Sequence, residues 1–452
     1  MKTHRILTGL GGFLLLAISA ASPLLAMGDF ADVVFVGGRV VTMTSPEDIH
    51  EALAVSGNRI LRVGSDAEVL ALSGPDTRRV DLAGRAVYPG FIDPHTHLLN
   101  DAWQLQMSLY DAQALALRHG ITCAANMYTT RDLVEDCLRM ARAGDLRVRF
   151  SLYLVYNTSC GDVLGDWYAA YEPLVELAPR LRIGGVKFFS ETSVCGDRRI
   201  GVSFSPALAA YLTPEGQANY GGNRPLFTEA AFTAAIRQAN ARGFPVAIHA
   251  IGDAGIELSL DAIEGALDGG PNTLRNTVMH NLFLRDDLLP RYAELGIVAA
   301  IESMSPCFAG FYRGLLAPEM QHVVRRWADL LATGVHVAAD SDWPWSAEEA
   351  IDPLFRLQAL LVPDNRSASY PAWEPCPLLP EAQLLTAWQG LRMMTVEAAY
   401  MLHQERDLGT LEPGKLADLV VLSADPLQVS ADDLTSIDVV LTMVDGRVEW
   451  EP

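Results

Sequence analysis

The run Val87-Tyr88-Pro89-Gly90-Phe91-Ile92-Asp93-Pro94-His95-Thr96-His97 decides how the rest of the chain is read. An apolar lead-in passes through Pro89-Gly90 into two histidines one residue apart. If Phe91 to His97 is a strand, the two-residue period puts His95 and His97 on one face. Two neutral imidazoles side by side at a strand end can hold one divalent ion. Paired histidines also occur in ordinary cores and surfaces, so the context downstream carries the assignment.

That context is a series of β-branched runs alternating with helical stretches, the pattern of a parallel α/β architecture. Eight strand candidates follow one another: Phe91–His97, Ile121–Met127, Arg147–Val155, Gly185–Phe189, Val246–His249, Thr277–His280, Ile297–Ile301 and Val335–Asp342. Eight such strands over residues 89–404 predict an α/β fold of the (β/α)8 TIM barrel type, whose chemistry lies at the C-terminal strand ends. Polar residues recur at those ends: His95 and His97, Lys187, His249, His280, and the Asp340/Asp342 pair. The first, fourth, fifth, sixth and eighth strands each supply one or more. Asp340 and Asp342, two apart, are expected to face the barrel interior together, with Asp342 nearer the rim.

The flanks read differently. Short strands and Gly-containing turns fill residues 28–88, and a similar pattern returns over 405–452, where Asp445-Gly446 is a strong hairpin signal. Neither end has enough strands for a core of its own, so both are expected to join in one small β-sandwich beside the barrel.

Composition narrows the function. The 452-residue chain carries a formal net charge of −21, which disfavours nucleic acid and anionic membrane surfaces as partners. A small-molecule substrate fits better, and homo-oligomers are compatible with the reading. Residues 1–26 have the form of a secretory signal: Lys2 and Arg5, an apolar run, then small residues. Export to the periplasm or the medium is expected, with no stable membrane insertion after cleavage; the alternative is an anchor formed by an uncleaved signal. The six cysteines show no CxxC spacing, which argues against a thiolate metal site. Cys160 and Cys195 fall just after the third and fourth strand candidates, on one rim, and are expected to form a disulfide.

Taken together, Pro-Gly-Phe-Ile-Asp-Pro-His95-Thr-His97, Gly-Gly-Val-Lys187-Phe-Phe, His249-Ala-Ile-Gly-Asp253, Val-Met-His280-Asn, Ser341-Asp342-Trp-Pro344 and the closing Leu408-Gly-Thr-Leu-Glu-Pro-Gly-Lys-Leu-Ala-Asp-Leu-Val-Val-Leu form an ordered set. In this the chain resembles the amidohydrolase superfamily, most closely amidohydrolase family 3, the group of N-substituted formamide deformylase-like enzymes. The resemblance implies two divalent metal ions, zinc first among them, with His95, His97, Lys187, His249, His280 and Asp342 as ligands. It also implies that Lys187 is N6-carboxylated, an anion able to bridge both ions, and that Asp342 is the catalytic acid–base. The ordinary alternative for Lys187 is a core ion pair with Glu191. Ser190-Glu191-Thr192 stands where the family usually has an Asp-Gly pair, and the family's long insertion after His-x-His is missing, which predicts a site that is more open or differently covered.

Asp253, Asp340, Trp343 and Trp167 are expected around this centre as supporting or substrate-contacting residues. Aromatic residues Tyr168, Phe308, Phe311, Tyr312 and Trp345 crowd the expected mouth. His50, His119, His322, His336 and His403 lie away from strand ends and are expected to be structural or exposed. The function implied is a metal-dependent hydrolase of a non-peptide, amide-type C–N bond in a small molecule. The alternatives are a deaminase or cyclic-amide hydrolase on the same centre, or a non-catalytic envelope protein that binds a small molecule.

Overall fold

The computed structural model describes residues 30–101, 105–193, 195, 201–303, 312–346, 348–364 and 380–452. The signal-like segment and the aromatic positions Phe308 and Phe311 lie outside them.

Eight parallel strands form the barrel: β1 (Phe91–Thr96), β2 (Ile121–Thr129), β3 (Arg149–Val155), β4 (Leu181–Phe189), β5 (Val246–Ala250), β6 (Thr277–His280), β7 (Val298–Glu302) and β8 (Val337–Asp340). They pair in chain order from β1 to β8. Several are buried along their whole length, β5 (Val-Ala-Ile-His-Ala) among them, as expected of strands covered on both faces. Helices between them start and stop where local chemistry dictates. The helix Arg131–Ala143 begins at Thr130, whose hydroxyl accepts from Leu133 N, and ends at Gly144, whose φ of 78° suits glycine.

The seam between β8 and β1 is closed by bonds from residues just past β8 to β1 and the residue that follows it. Asp342 N donates to His95 O (2.9 Å), and His97 N donates to Trp343 O (2.8 Å). Buried Asp93 adds to it, accepting from Ser341 N (3.2 Å). The residues that shut the barrel are thus neighbours of, or identical with, the candidate ligands.

Both chain ends do meet in one sheet. A six-stranded sheet runs Arg447–Trp450, Val439–Val444, Leu419–Leu422, Ala86–Pro89, Arg39–Val41, Ile49–His50, half from each end. A second, four-stranded sheet comes wholly from the N-terminal part. Between them pack Phe35, Val55, Val87, Leu419, Val421, Leu441 and Met443. The strand Ala86–Pro89 leads directly into β1, with Gly90 N donating to Asp418 O (3.0 Å). Arg149 at the start of β3 is clamped by Asp418 (2.7 Å) and Asp445 (2.7 Å), fastening the barrel to this layer.

Candidate active site

At the C-terminal ends of the strands, six side chains line one cleft: His95 and His97 from β1 and its end, Lys187 from β4, His249 from β5, His280 from β6, and Asp342 past β8. Asp342 Oδ1 lies 3.1 Å from His95 Nε2 and 3.2 Å from His97 Nε2. The His249 and His280 rings are 4.3 Å apart, and those of His95 and His280 5.0 Å.

Two groups of three offer ligand atoms within 4.8 Å of one another: His95, His97 and Asp342, and His280, Glu302 and Asp342. Asp342 belongs to both. Nε2 of His249 and Nε2 of His280 are buried without a hydrogen-bond partner, as the donor atoms of a cation site would be; the unpartnered Nδ1 of His95 faces Asp340, its Nε2 being the atom beside Asp342. Imidazole and carboxylate donors in this arrangement fit divalent metal ions.

Electrostatics follow from burial and neighbours. Burial, then the Lys187 ammonium, pulls His95 down to about 4. His97 is also buried, but the hydrogen bonds its ring donates to Asp101 and Asp342 outweigh that and lift it to about 9. Burial also opposes charge on Asp342, yet His95 and His97 together hold its carboxyl well below the ordinary range. Lys187 is brought down to about 8 by burial, against the pull of Asp342 and Asp340. Its Nζ contacts Met279 Sδ at 3.0 Å and forms no ion pair among the described residues. The ion pair with Glu191 does not form: that carboxylate accepts instead from the backbone N–H groups of Ile251 (2.5 Å), Gly252 (2.8 Å) and Ser203 (2.5 Å).

Several expectations are corrected. The eighth strand ends at Asp340, and Asp342 lies in the following turn with φ 47°, so the two aspartates are not successive inward positions of one strand. Asp340 is buried 3.7 Å from His95 Nδ1, outside hydrogen-bond reach, and neither carboxylate oxygen has a partner. Burial, then Asp93 and Asp342, raises its pKa well above the usual range. Asp253 fastens Ser205 and Arg285 rather than a histidine. Trp343 is buried and acts through its carbonyl at the barrel seam. Trp167 donates its indole N–H to Val155 O (2.8 Å) and is not part of the cleft lining. Tyr168 is buried against Phe244. Tyr312 and Trp345 do line the cleft. Cys160 and Cys195 are joined in a disulfide, their Cα atoms 5.2 Å apart.

Glu302 was missed. It is the last residue of β7, one position beyond the run read from the sequence, and its carboxylate contacts His280 Nδ1. Reading that run one residue further would have found it. Asp101, 3.3 Å from His97 Nδ1, sits four residues past the His-x-His and carried no signal of its own.

A (β/α)8 barrel with histidines and carboxylates gathered at the C-terminal rim defines the class of metal-dependent hydrolase barrels. The model of the Amidohydrolase family matches residues 101–449, and the chain belongs to that family as a hydrolytic enzyme. It is 29% identical over 404 residues to an imidazolonepropionase of Symbiobacterium thermophilum, covering 82% of this chain and 83% of that protein. It is 22% identical to the N-substituted formamide deformylase of Arthrobacter pascens, over 94% and 99% of the two chains. Among solved structures, an uncharacterized metal-dependent hydrolase from Pyrococcus furiosus superposes with a TM-score of 0.71 at 19% identity, covering 88% of this chain and all of that one.

Proposed function

We propose that this enzyme hydrolyses a non-peptide, amide-type C–N bond in a small molecule. His95, His97, Lys187, His249, His280 and Asp342 would hold two divalent ions, zinc suiting imidazole and carboxylate donors. The observation that carries the reading is the convergence of these six side chains, from five barrel strands and their ends, on one cleft. Ions bound there would supply carbonyl polarisation and a water acidic enough to attack near neutral pH.

The chain's own residues do the remaining work. A carboxylate oxygen of Asp342 takes the proton of the attacking water and returns it to the leaving nitrogen. Asp101 at His97 Nδ1 and Glu302 at His280 Nδ1 fix which ring nitrogen each histidine turns inward. Tyr128, Phe189, Leu282, Tyr312 and Trp345 wall the cleft and limit water around the substrate.

Lys187 is proposed to be N6-carboxylated. The Lys187 ammonium first gives up a proton; the free amine then attacks the carbon of CO2, an N–C bond forms as one C=O π bond opens, and a second proton leaves nitrogen, so that an anionic carbamate with two donor oxygens replaces a buried cation. A deaminase on the same centre is a second reading, favoured by similarity to an adenine deaminase of Rubrobacter xylanophilus, 29% identical over 42% of this chain. We further propose export, with the charge balance keeping nucleic acid away. Among the described residues no helix is long and apolar enough to cross a membrane.

The test is a hydrolysis screen of amides, formamides and lactams with zinc-loaded protein, alongside elemental analysis. Turnover with two ions per chain is expected, together with loss of activity in Lys187→Ala that short carboxylates partly restore. A purified protein active without metal would refute the mechanism.

A further inference from the structure

One wall of the catalytic cleft contains a cation that no carboxylate neutralises among the described residues. Arg325 is only 2% exposed, yet it lines the cleft together with Trp327. Nη2 donates to Ala359 O (2.6 Å); Nη1 is buried without a partner. No carboxylate pairs with it among the described residues. Two other well-buried arginines differ, Arg180 with Glu449 at 2.6 Å and Arg149 with Asp418 at 2.7 Å; Arg356, which lies outside the cleft lining, has Asp93 at 3.9 Å, beyond hydrogen-bond reach, and its Nε and Nη2 are unpartnered.

A guanidinium offers five N–H donors and stays charged, so burying it unpaired is costly unless a ligand completes it. Burial alone, with no compensating anion, depresses its pKa. The Trp327 ring lies 3.9 Å from the guanidinium carbon, holding the plane in place, and its own Nε1–H is buried and unpartnered as well. Two unfulfilled donors thus stand side by side. The backbone at Arg325 is held in the left-handed region, φ 58°, a conformation that a long side chain seldom adopts without cause. Arg325 N donates to Leu282 O (2.9 Å), which ties this wall to the segment two residues past His280.

We propose that Arg325 and Trp327 form a carboxylate-binding subsite of the active site, so that the substrate is an amide-type compound bearing a carboxylate remote from the bond that is cut. The inference rests on the hydrolase reading for its substrate class. One fixed positive charge with one neutral donor matches a monoanion, and the fork of the guanidinium matches the two oxygens of a carboxylate. Such a contact orients the substrate and rejects its uncharged analogue, because the donors would otherwise stay unsatisfied.

The experiment uses the metal-loaded full chain and the N-formyl and N-acetyl derivatives of glycine, leucine and phenylalanine, each as free acid and as methyl ester. Dissociation constants by calorimetry and kcat/KM are both read. The free acids should be favoured by about 10–150-fold, the range of a hydrogen bond to a charged group. Arg325→Met should erase that preference. Arg325 also holds Ala359, so Trp327→Phe is the second variant: it keeps the stacked ring, removes one donor, and should reduce the preference by about 2–10-fold. If the acids bind better and Arg325→Met abolishes this, but nothing is hydrolysed, the subsite stands and the amide-hydrolase reading falls. Equal handling of acids and esters by the unmodified chain, absence of binding by both included, overturns the subsite. So does a preference that survives in both folded variants.

Discussion

Replacing Asp342 by asparagine tests the chemistry with little disturbance to the fold. The residue has φ 47°, a left-handed conformation that asparagine tolerates better than most residues. Its backbone N–H to His95 O is untouched, and an amide oxygen can still approach the His95 and His97 nitrogens 3.1 and 3.2 Å away. What disappears is the charge and the ability to carry a proton. Positioned proton transfer contributes about 10²–10⁴-fold, or roughly 3–5 kcal/mol of barrier. A loss of that size is expected in kcat, with metal content retained through the histidines and Lys187. Asp340→Asn is the control. The Asp340 carboxylate has no hydrogen-bond partner among the described residues and stands 3.7 Å from His95 Nδ1, so its replacement should act only through the charge beside that ring and the ring's position, at a cost of about 10–100-fold. The assay is kcat and KM on whichever amide the screen returns, with metal analysis of each variant. Should Asp340→Asn be inactive and Asp342→Asn active, the assignment of the proton carrier is wrong.

Glu302→Gln should lower metal affinity or activity by about 10–100-fold by freeing His280, as measured by metal titration; an unchanged titration would remove Glu302 from the site. Arg149→Met leaves Asp418 buried without its cation and should cost about 3–5 kcal/mol in urea unfolding, against little effect if solvent rescues the carboxylate. Burial raises Glu191 to about 7, despite three opposing backbone N–H groups. Its native form therefore keeps a proton that the unfolded chain releases near 4.5, so this stabilisation is complete below about pH 4.5 and lost as pH rises through 7. The stability of the unmodified chain relative to Glu191→Gln should therefore fall across that window by on the order of 3 kcal/mol. A pH-independent gap would show that Glu191 titrates normally.

The sequence alone determined the architecture and most of the cleft's histidines. The strand runs are continuous, apolar and β-branched because barrel strands are buried on both faces, and a residue at a strand's end has its place set by that strand. Hence the positions of His95, Lys187, His249 and His280 at the strand ends are legible in the sequence. The two halves of the flanking sheet were legible for the same reason, since neither could bury a core unaided.

Tertiary structure decided what depends on the ends of elements and on contacts between distant segments. His280, Asn281 and Asp342 all adopt positive φ, so the path of the chain past β6 and β8 departs from any strand register that sequence could extrapolate. Asn281 holds its turn through Val278 O and Ala300 O, both 2.9 Å away, and the second of these bonds exists only once β6 and β7 are adjacent. Glu302 meets His280 for the same reason. Arg325 reads in sequence like any surface arginine, and only packing buries it in the cleft wall without a counter-ion among the described residues.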